Sequence, residues 1–342
     1  MDGRPPRFAV AGIEHLHVFE LVGGLVGAGA IEVGHWGTPG PLLDAYRQWR
    51  PDSAELDLDT ALRAEVDLVV LAGIPSERAT HAATALRSGA SVLSDKPGVT
   101  TFEQLDSVLD AEEASTGRWW VLFSERFCNR AVLEAVRRVH AGAIGRVVDV
   151  VGLGPHTLAA AQRPDWFWSP TTSGGILADL ATHQIDQFCA IADPDSKAEV
   201  VVTSSSVGNL ACPDHPSMQD VGRLTLAGGG AIGSHRVDYL SAAGLPSWGD
   251  CRLLITGTEG ALEVRANVDP AGAPGSEHLI QVDADGTQRI DTSDVQIDWA
   301  QRLVADLRNG TDTLLSRDHI ERVCRLALTA QAEATPWAAV SD

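Results

Sequence analysis

The first 125 residues alternate short apolar runs with helical patterns, and this alternation limits the possible folds more than any other feature. The runs are continuously apolar, as expected of strands covered on both faces. A repeated β-α-β order requires right-handed crossovers and predicts a doubly wound parallel sheet of the α/β class. Strands are expected at Phe8–Ala11, Ile31–Trp36, Asp67–Ala72, Ser91–Leu93 and Trp119–Phe123, with helices near 17–28, 41–50, 77–88 and 102–114.

The pattern changes after residue 125. Helices are expected at 129–142 and 175–192, and two more, about 294–309 and 317–334, close the chain. Between them, Gly-containing turns separate strand candidates at 146–153, 198–205, 221–227, 230–239, 252–257, 260–265, 278–283 and 287–291. A chain of 342 residues exceeds one ordinary core. We therefore expect a doubly wound domain over 1–125 and, over 126–342, an α+β domain with a large, mostly antiparallel open sheet.

Composition excludes several classes of partner. A net charge of −20, spread along the chain, argues against binding nucleic acid or an anionic membrane surface. The five scattered cysteines fit a reducing compartment better than a disulfide framework. Neither a secretory signal nor an 18-residue apolar stretch is visible. The expectation is a cytoplasmic protein.

Two sets of polar residues could carry chemistry. Lys96 follows a buried strand and precedes Pro97, at the carboxyl edge where doubly wound sheets bind ligands. A lysine there can polarise or deprotonate a hydroxyl, although a Lys-Pro at a strand end can also be an ordinary loop. Asp179, His183 and Asp186 are spaced to share one helix face. A carboxylate one turn from a histidine suits general acid–base catalysis, and a solvated helix face is the structural alternative.

The order and spacing of these motifs resemble the Gfo/Idh/MocA family (glucose–fructose oxidoreductase, inositol dehydrogenase, rhizopine catabolism). The family's Glu-Lys-Pro signature corresponds to Asp95-Lys96-Pro97. Its second signature, Gly-Gly, Asp, His and Asp at fixed spacing, is matched at Gly174, Gly175, Asp179, His183 and Asp186. Thr256-Gly257-Thr258-Glu259-Gly260 is similar to the family's late hairpin. The resemblance covers nearly the whole chain and does not name a substrate.

The resemblance implies a Rossmann domain that binds NAD or NADP, and a second domain whose open sheet forms homodimers or homotetramers. It implies that His183 exchanges the proton of the carbinol oxygen, that Asp179 orients His183 or holds a neighbouring hydroxyl, and that Lys96 polarises the oxygen. The candidate cofactor-binding residues lie after the strands: Gly12, Ile13, Glu14, His15, Leu16, Thr38, Gly73, Ile74, Pro75, Asp95, Lys96 and Pro97.

The phosphate loop departs from the dinucleotide pattern Gly-x-Gly-x-x-Gly. Only Gly12 remains, because Glu14 and His17 occupy the other two glycine positions. Glu14 would place a negative charge beside the pyrophosphate unless its side chain turns away, and protonated His15 or His17 could offset it. The second strand ends at Thr38 without the acid that binds an NAD ribose, so the sequence favours NADP slightly.

The expected substrate-binding residues are Arg126, His156, Arg163, Trp166 and Arg236. Trp166 could stack on a sugar ring while the charged groups bind hydroxyls, or the Trp-rich loop could pack at an interface. A His-x-His motif such as His15-x-His17 also follows the first strand of metal-dependent hydrolases. Their fold is an eight-stranded β/α barrel, which conflicts with the hairpin-rich second half of this chain. No metal site is therefore expected.

The predicted function is hydride transfer between a nicotinamide cofactor and a hydroxyl or ketone of a sugar, polyol or cyclitol. One alternative is a redox-neutral member that uses tightly bound NAD for glycoside cleavage or elimination. The other is a non-catalytic dinucleotide-binding protein, which the altered phosphate loop suggests.

Overall fold

The structure, a computed structural model, describes residues 4–193 and 197–337. The chain forms two compact units. Unit 1 comprises residues 1–122, 171–174 and 298–324, and unit 2 comprises 123–170, 175–297 and 325–342. No helix in the described parts of the chain is long and apolar enough to cross a membrane.

Unit 1 contains a parallel sheet with strand order β2-β1-β3-β4-β5, which confirms the Rossmann prediction. Its strands β1, β3, β4 and β5 are almost entirely buried, because helices cover the sheet. The strands are β1 (Arg7–Ile13), β2 (Ile31–Trp36), β3 (Leu68–Ala72), β4 (Ser91–Asp95) and β5 (Trp119–Leu122). The helices are α1 (Val18–Gly27), α2 (Pro41–Trp49), α3 (Leu58–Arg63), α4 (Pro75–Arg87) and α5 (Phe102–Glu113).

The order of strands in unit 1 reverses at one point. From β1 the chain moves outward to β2 on one side, and it then returns to place β3 on the other side of β1. The connections after β1 and β3 therefore lead in opposite directions from two adjacent strands, and doubly wound sheets bind ligands in the crevice at such a point. A helix that the sequence did not predict, α3, starts at Asp57, whose side chain accepts a hydrogen bond from the Thr60 N–H.

Unit 2 contains a nine-stranded sheet of order β13-β12-β11-β10-β6-β9-β8-β7-β14. Most neighbours are antiparallel, as expected, but β6 pairs with β9 in parallel and β14 pairs with β7 in parallel. The strands are β6 (Val147–Pro155), β7 (Val200–Gly208), β8 (Val221–Gly228), β9 (Ala231–Asp238), β10 (Arg252–Gly257), β11 (Gly260–Arg265), β12 (His278–Asp283), β13 (Gly286–Ile290) and β14 (Thr335–Pro336).

Helices cover one side of the unit 2 sheet. The remaining helices along the chain are α6 (Ser124–Phe127), α7 (Arg130–His140), α8 (Pro170–Ser173), α9 (Ile176–Asp179), α10 (Ala181–Ala192), α11 (Trp299–Asn309) and α12 (Arg317–Ala332). The buried helix α10 packs on β6 and β9. The packing is close at Gly154, where an added Cβ would lie 2.7 Å from Nε2 of Gln184 and would force that side chain to shift. The same close packing places the side chain of Gln184 within hydrogen-bonding distance of Glu125.

The sequence predicted one helix over 175–192, and the structure divides it. Helix α9 ends at Asp179, Leu180 separates the two segments, and α10 begins at Ala181. Asp179 and His183 therefore do not lie on one continuous helix. The alternative of a solvated helix face is excluded, since His183 and Asp186 are 2% and 0% exposed.

Candidate functional site

The loops after β1 and β3 approach each other closely at the crevice of unit 1. A Cβ at Gly12 would lie 2.5 Å from the Gly73 Cα, and the φ angle of Gly12 is +106°. Any larger residue at this position would be strained and would clash with backbone. Both glycines are buried, and the absence of side chains lets the two loops meet in a tight turn, which fits the role of the first glycine in a dinucleotide loop.

Glu14 turns away from the start of α1. Its Oε1 accepts hydrogen bonds from the backbone N–H of Thr38 (2.7 Å) and from the Thr38 hydroxyl (2.6 Å). This places a carboxylate at the end of β2, although Glu14 follows β1 in sequence. The position is the one at which an acid binds the ribose hydroxyls of NAD in Rossmann domains.

His15 and His17 both turn toward Asp95 at the end of β4. Their Nδ1 atoms lie 3.0 Å and 2.8 Å from the two oxygens of Asp95. Burial lowers the pKa of His15 to about 4, so this ring is neutral at neutral pH and does not offset the charge of Glu14. Burial alone would raise the pKa of Asp95, but its electrostatic interactions with His17, His15 and Arg78 hold it well below its usual range.

Arg78 connects two loops at this edge of the sheet, and it was not selected from the sequence. It is fully buried, and its guanidinium donates to the backbone carbonyls of Gly73, Asp95, Lys96 and Pro97. It thereby joins the loop after β3 to the loop after β4. A signal was present, because Arg78 lies four residues before Ala82, on the apolar face of α4.

Lys96 is 3% exposed, and its backbone N–H donates to Oδ1 of Asp95 at 2.8 Å. The Lys96-Pro97 peptide bond is cis. Of the other expected cofactor-binding residues, Ile13 is buried at the end of β1 and Leu16 is 63% exposed. Ile74 and Pro75 form the N-cap and the first position of α4.

In unit 2, Asp179 is held by a tyrosine that the sequence analysis did not select. The hydroxyl of Tyr239 donates to Oδ2 of Asp179 at 2.8 Å. Burial, together with the charge of Asp179, raises the pKa of Tyr239 well above its usual value, so the phenol keeps its proton and its donor role. His183 lies in the first turn of α10 and is buried.

Arg126 and Asp186 form a buried ion pair with two hydrogen bonds. Nε of Arg126 lies 2.7 Å from Oδ2 of Asp186, and Nη2 lies 2.6 Å from Oδ1. Asp186 was expected to share a face with Asp179 and His183, and its carboxylate instead faces Arg126 of α6. The two hydrogen bonds therefore hold the guanidinium of Arg126 against α10.

The remaining expected substrate-binding residues lie in unit 2. Arg163 donates to the carbonyls of Leu158 and Thr157, and its guanidinium lies 5.4 Å from the centre of the Tyr239 ring. Trp166 is half-buried beside Phe167. Arg236 pairs with Asp238 and remains 43% exposed. His156 lies beside Glu125 and Cys251, two residues that the sequence analysis did not select.

Two comparisons identify the relatives of the chain. Residues 132–263 match the model of the GFO/IDH/MocA C-terminal domain. A Bacillus subtilis (strain 168) protein named as a candidate oxidoreductase, YteT, is 30% identical over 141 residues, or 40% of this chain and 32% of that protein. The matched region thus spans about a third of the length of this curated relative.

Solved structures match over almost the full length. A candidate oxidoreductase from Erwinia carotovora atroseptica SCRI1043 is 33% identical and covers 97% of this chain and 100% of its own, with a TM-score of 0.93. A levoglucosan dehydrogenase, in complex with NADH and levoglucosan, has the same fold at 17% identity, with coverage of 95% and 97% and a TM-score of 0.76. The chain belongs to the Gfo/Idh/MocA family of oxidoreductases.

Proposed function

We propose that this protein is a nicotinamide-dependent oxidoreductase that transfers a hydride between NAD(P) and a hydroxyl or ketone of a sugar, polyol or cyclitol. The main support is its membership in an oxidoreductase family together with the close approach of Gly12 and Gly73 at the crevice of the parallel sheet. Gly12, Gly73 and the start of α1 would hold the pyrophosphate. The bound nicotinamide would supply the hydride chemistry, and the protein would supply geometry and proton transfer.

The proposed catalytic residues are Lys96, Asp179 and His183, acting on one substrate. Buried polar side chains cost folding free energy, so a buried lysine and a buried histidine are reasonable candidates for functional groups. His183 would exchange the proton of the substrate oxygen and Lys96 would polarise that oxygen. Asp179, fixed by Tyr239, would orient His183 or a substrate hydroxyl.

We propose NAD as the preferred cofactor. The neutral Thr38 favoured NADP slightly when the sequence was considered alone, but Thr38 positions the carboxylate of Glu14 at the end of β2. A carboxylate there can accept hydrogen bonds from ribose hydroxyls, whereas it repels a 2′-phosphate. Glu14 would then replace, from the first loop, the acid that usually ends the second strand.

A small carbohydrate-like substrate is the proposed class. The levoglucosan dehydrogenase that shares this fold binds an anhydrosugar. Trp166 would stack on the substrate ring, and His156, Arg163 and Arg236 would bind its polar groups. Arg126 is a weaker member of this set, since Asp186 already engages its guanidinium.

Nucleotide titration and a substrate screen test the proposal. NADH and NADPH are titrated by fluorescence, and sugars, polyols and anhydrosugars are then screened for a change in absorbance at the reduced-nicotinamide band. If activity is found, His183→Ala should lower kcat by about 10²–10⁴. Full turnover in that variant would remove His183 from the proton-transfer role.

The same experiment separates the alternatives. Failure to bind either nucleotide would refute the oxidoreductase proposal. Tight nucleotide binding with glycoside cleavage and no net redox change would favour the redox-neutral alternative. Binding without any reaction across the screen would favour a non-catalytic dinucleotide-binding protein.

We further propose that the exposed face of the unit 2 sheet forms a homodimer or homotetramer. Four apolar residues on different strands are 39–54% exposed, and their pairing partners place them on one face: Val201, Ile232, Leu254 and Val282. Ile232→Lys combined with Leu254→Glu should shift the mass measured by light scattering to that of a monomer. An unchanged mass would exclude this face.

The sequence-based domain division and location stay proposals. Residues 1–125 would bind the nucleotide, and residues 126–342 would bind the substrate and assemble the oligomer. Hydrogen exchange with and without NADH would test that division, since the protection gained on binding should concentrate in residues 1–125. We also propose a cytoplasmic location, which the five free cysteines support, and cell fractionation would test it.

A further inference from the structure

Three side chains of unit 2 direct potential metal-binding atoms toward one point. Glu125 lies on α6, His156 follows β6, and Cys251 directly precedes β10. Their ligand atoms all lie within 4.8 Å of one another. Nε2 of His156 is 3.7 Å from Oε1 of Glu125, and the Cys251 Sγ is 4.0 Å from the same oxygen. The first distance is too long for a hydrogen bond, and the second is at the outer limit for sulfur.

The orientation of the His156 ring is that of a metal ligand. Its Nδ1 lies 3.1 Å from the carbonyl oxygen of Gly154, which can only accept, so Nδ1 carries a proton. When the ring is neutral, it presents the lone pair of Nε2 toward Glu125. Metal-binding histidines are commonly oriented in this way, with the second ring nitrogen donating to a carbonyl. Trp248 packs against the ring, with centres 4.5 Å apart.

The side chains of Glu125 and Cys251 also have hydrogen-bonding partners outside the cluster. Nε2 of Gln184 donates to Oε2 of Glu125 at 3.0 Å, which leaves Oε1 facing the cluster. The Cys251 thiol is directed at the carbonyl oxygen of Pro155, with Sγ 3.9 Å from that oxygen. Each potential ligand therefore has an outer partner, the arrangement that positions ligands in protein metal sites.

The separations suit a tetrahedral ion. Bonds of the lengths found for zinc place neighbouring nitrogen, oxygen and sulfur ligands about 3.3–3.6 Å apart. The observed 3.7 Å and 4.0 Å would need to contract by a few tenths of an ångström, and the third separation, between His156 and Cys251, is within 4.8 Å. The triad of His15, His17 and Asp95 in unit 1 differs, since its direct hydrogen bonds of 3.0 Å and 2.8 Å leave no space for an ion.

We propose that Glu125, His156 and Cys251 bind a divalent cation of intermediate softness, Zn²⁺ above all, with a water or a substrate oxygen as its fourth ligand. A thiolate with an imidazole selects Zn²⁺ over Mg²⁺ or Ca²⁺, which prefer oxygen ligands. Glu125 and His156 remain 10% and 18% exposed, so small molecules can reach the ion. The ring of His156 lies 6.3 Å from that of Tyr239, the partner of Asp179.

The test uses the full chain, stripped of metal with a chelator. Calorimetry with Zn²⁺ should give one equivalent per chain, and equimolar Mg²⁺ should not compete. Co²⁺, used as a spectroscopic probe, should show a thiolate charge-transfer band and the intense visible bands of tetrahedral coordination. Cys251→Ser and His156→Gln should each weaken Zn²⁺ binding by about 100-fold or more, since each removes a direct ligand.

Cys212→Ser is the matched control, because Cys212 is a buried free cysteine of the same unit outside the cluster. It should bind Zn²⁺ as the unmodified protein does. Circular dichroism without metal verifies the folding of each variant. If Cys251→Ser does not fold, the Co²⁺ spectrum of the unmodified protein and the affinity of Glu125→Gln decide instead. Absence of stoichiometric binding, absence of the thiolate band, or binding lost only in His17→Asn would overturn the proposal.

Discussion

Replacing Arg126 by methionine is expected to destabilise unit 2 strongly. The change removes the bidentate cationic partner of Asp186, whose side chain is 0% exposed, while that of Arg126 is only 11% exposed. Removing one member of a buried ion pair leaves the other charge in a poorly solvated environment, which costs about 3–5 kcal/mol. Methionine retains much of the packing volume against Phe127, over whose ring the guanidinium lies. The loss should therefore be mainly electrostatic.

Urea unfolding at neutral pH measures this loss as a change in the free energy of unfolding. Arg63→Met is a suitable control, because its ion pair with Asp59 has side chains 58% and 76% exposed and should contribute little. The double variant Arg126→Met/Asp186→Leu should recover most of the stability, since it removes both charges. If Arg126→Met is as stable as the unmodified protein, the buried-pair reasoning is refuted.

The double variant also distinguishes a structural role of Arg126 from a role in substrate binding. With stability restored, an unchanged KM would show that the guanidinium serves the fold of α10. A KM raised at least tenfold would show that Arg126 also contacts the substrate, as the sequence motif suggested.

Three further outcomes are expected. Glu14→Gln should lower the preference for NADH over NADPH by about tenfold or more, or about 1.4 kcal/mol, in fluorescence titrations, and Glu113→Gln on the exposed end of α5 should leave it unchanged. Tyr239→Phe should lower kcat/KM by about 10–100-fold, because the charge-assisted hydrogen bond to Asp179 contributes about 1.5–3 kcal/mol; unaltered kinetics would exclude a role for this contact. Burial lowers the pKa of His235 to about 3, so the unfolded chain binds a proton that the folded chain does not, and stability is lost as the pH falls below about 6.5. His235→Leu should therefore lose about 2 kcal/mol less than the unmodified protein between pH 7 and pH 5 in urea unfolding, whereas an equal loss would contradict a buried neutral ring.

Most elements of both units could be predicted from local patterns. The strands of unit 1 lie within two residues of their expected bounds, because continuous apolar runs report burial on both faces. Helix α3 was missed because its six residues are too few to show a helical period. The break at Leu180 was missed as well, since residues 175–192 contain neither proline nor an internal glycine that would indicate an interruption.

The candidate site was predictable only in part. Lys96 and the segment around Asp179 were accessible from motif order, and Glu14 was recognised as an unusual residue. The direction of the Glu14 side chain could not be predicted from the sequence, because its hydrogen bonds are made to Thr38, which lies 24 positions away. Arg78 was overlooked because an arginine on a helix is usually exposed, and its burial depends on four carbonyls supplied by two loops.

By itself, the sequence determined the α/β order of the chain and the family motifs, both of which are carried by neighbouring residues. Only the tertiary structure decided how distant side chains meet. The parallel pairing of β6 with β9, the turn of Glu14 toward β2, and the meeting of Glu125 with Cys251, 126 positions later, belong to this second class. The physical reason is that hydrophobic periodicity records whether a residue is buried, whereas the partner it meets depends on how the strands and helices pack.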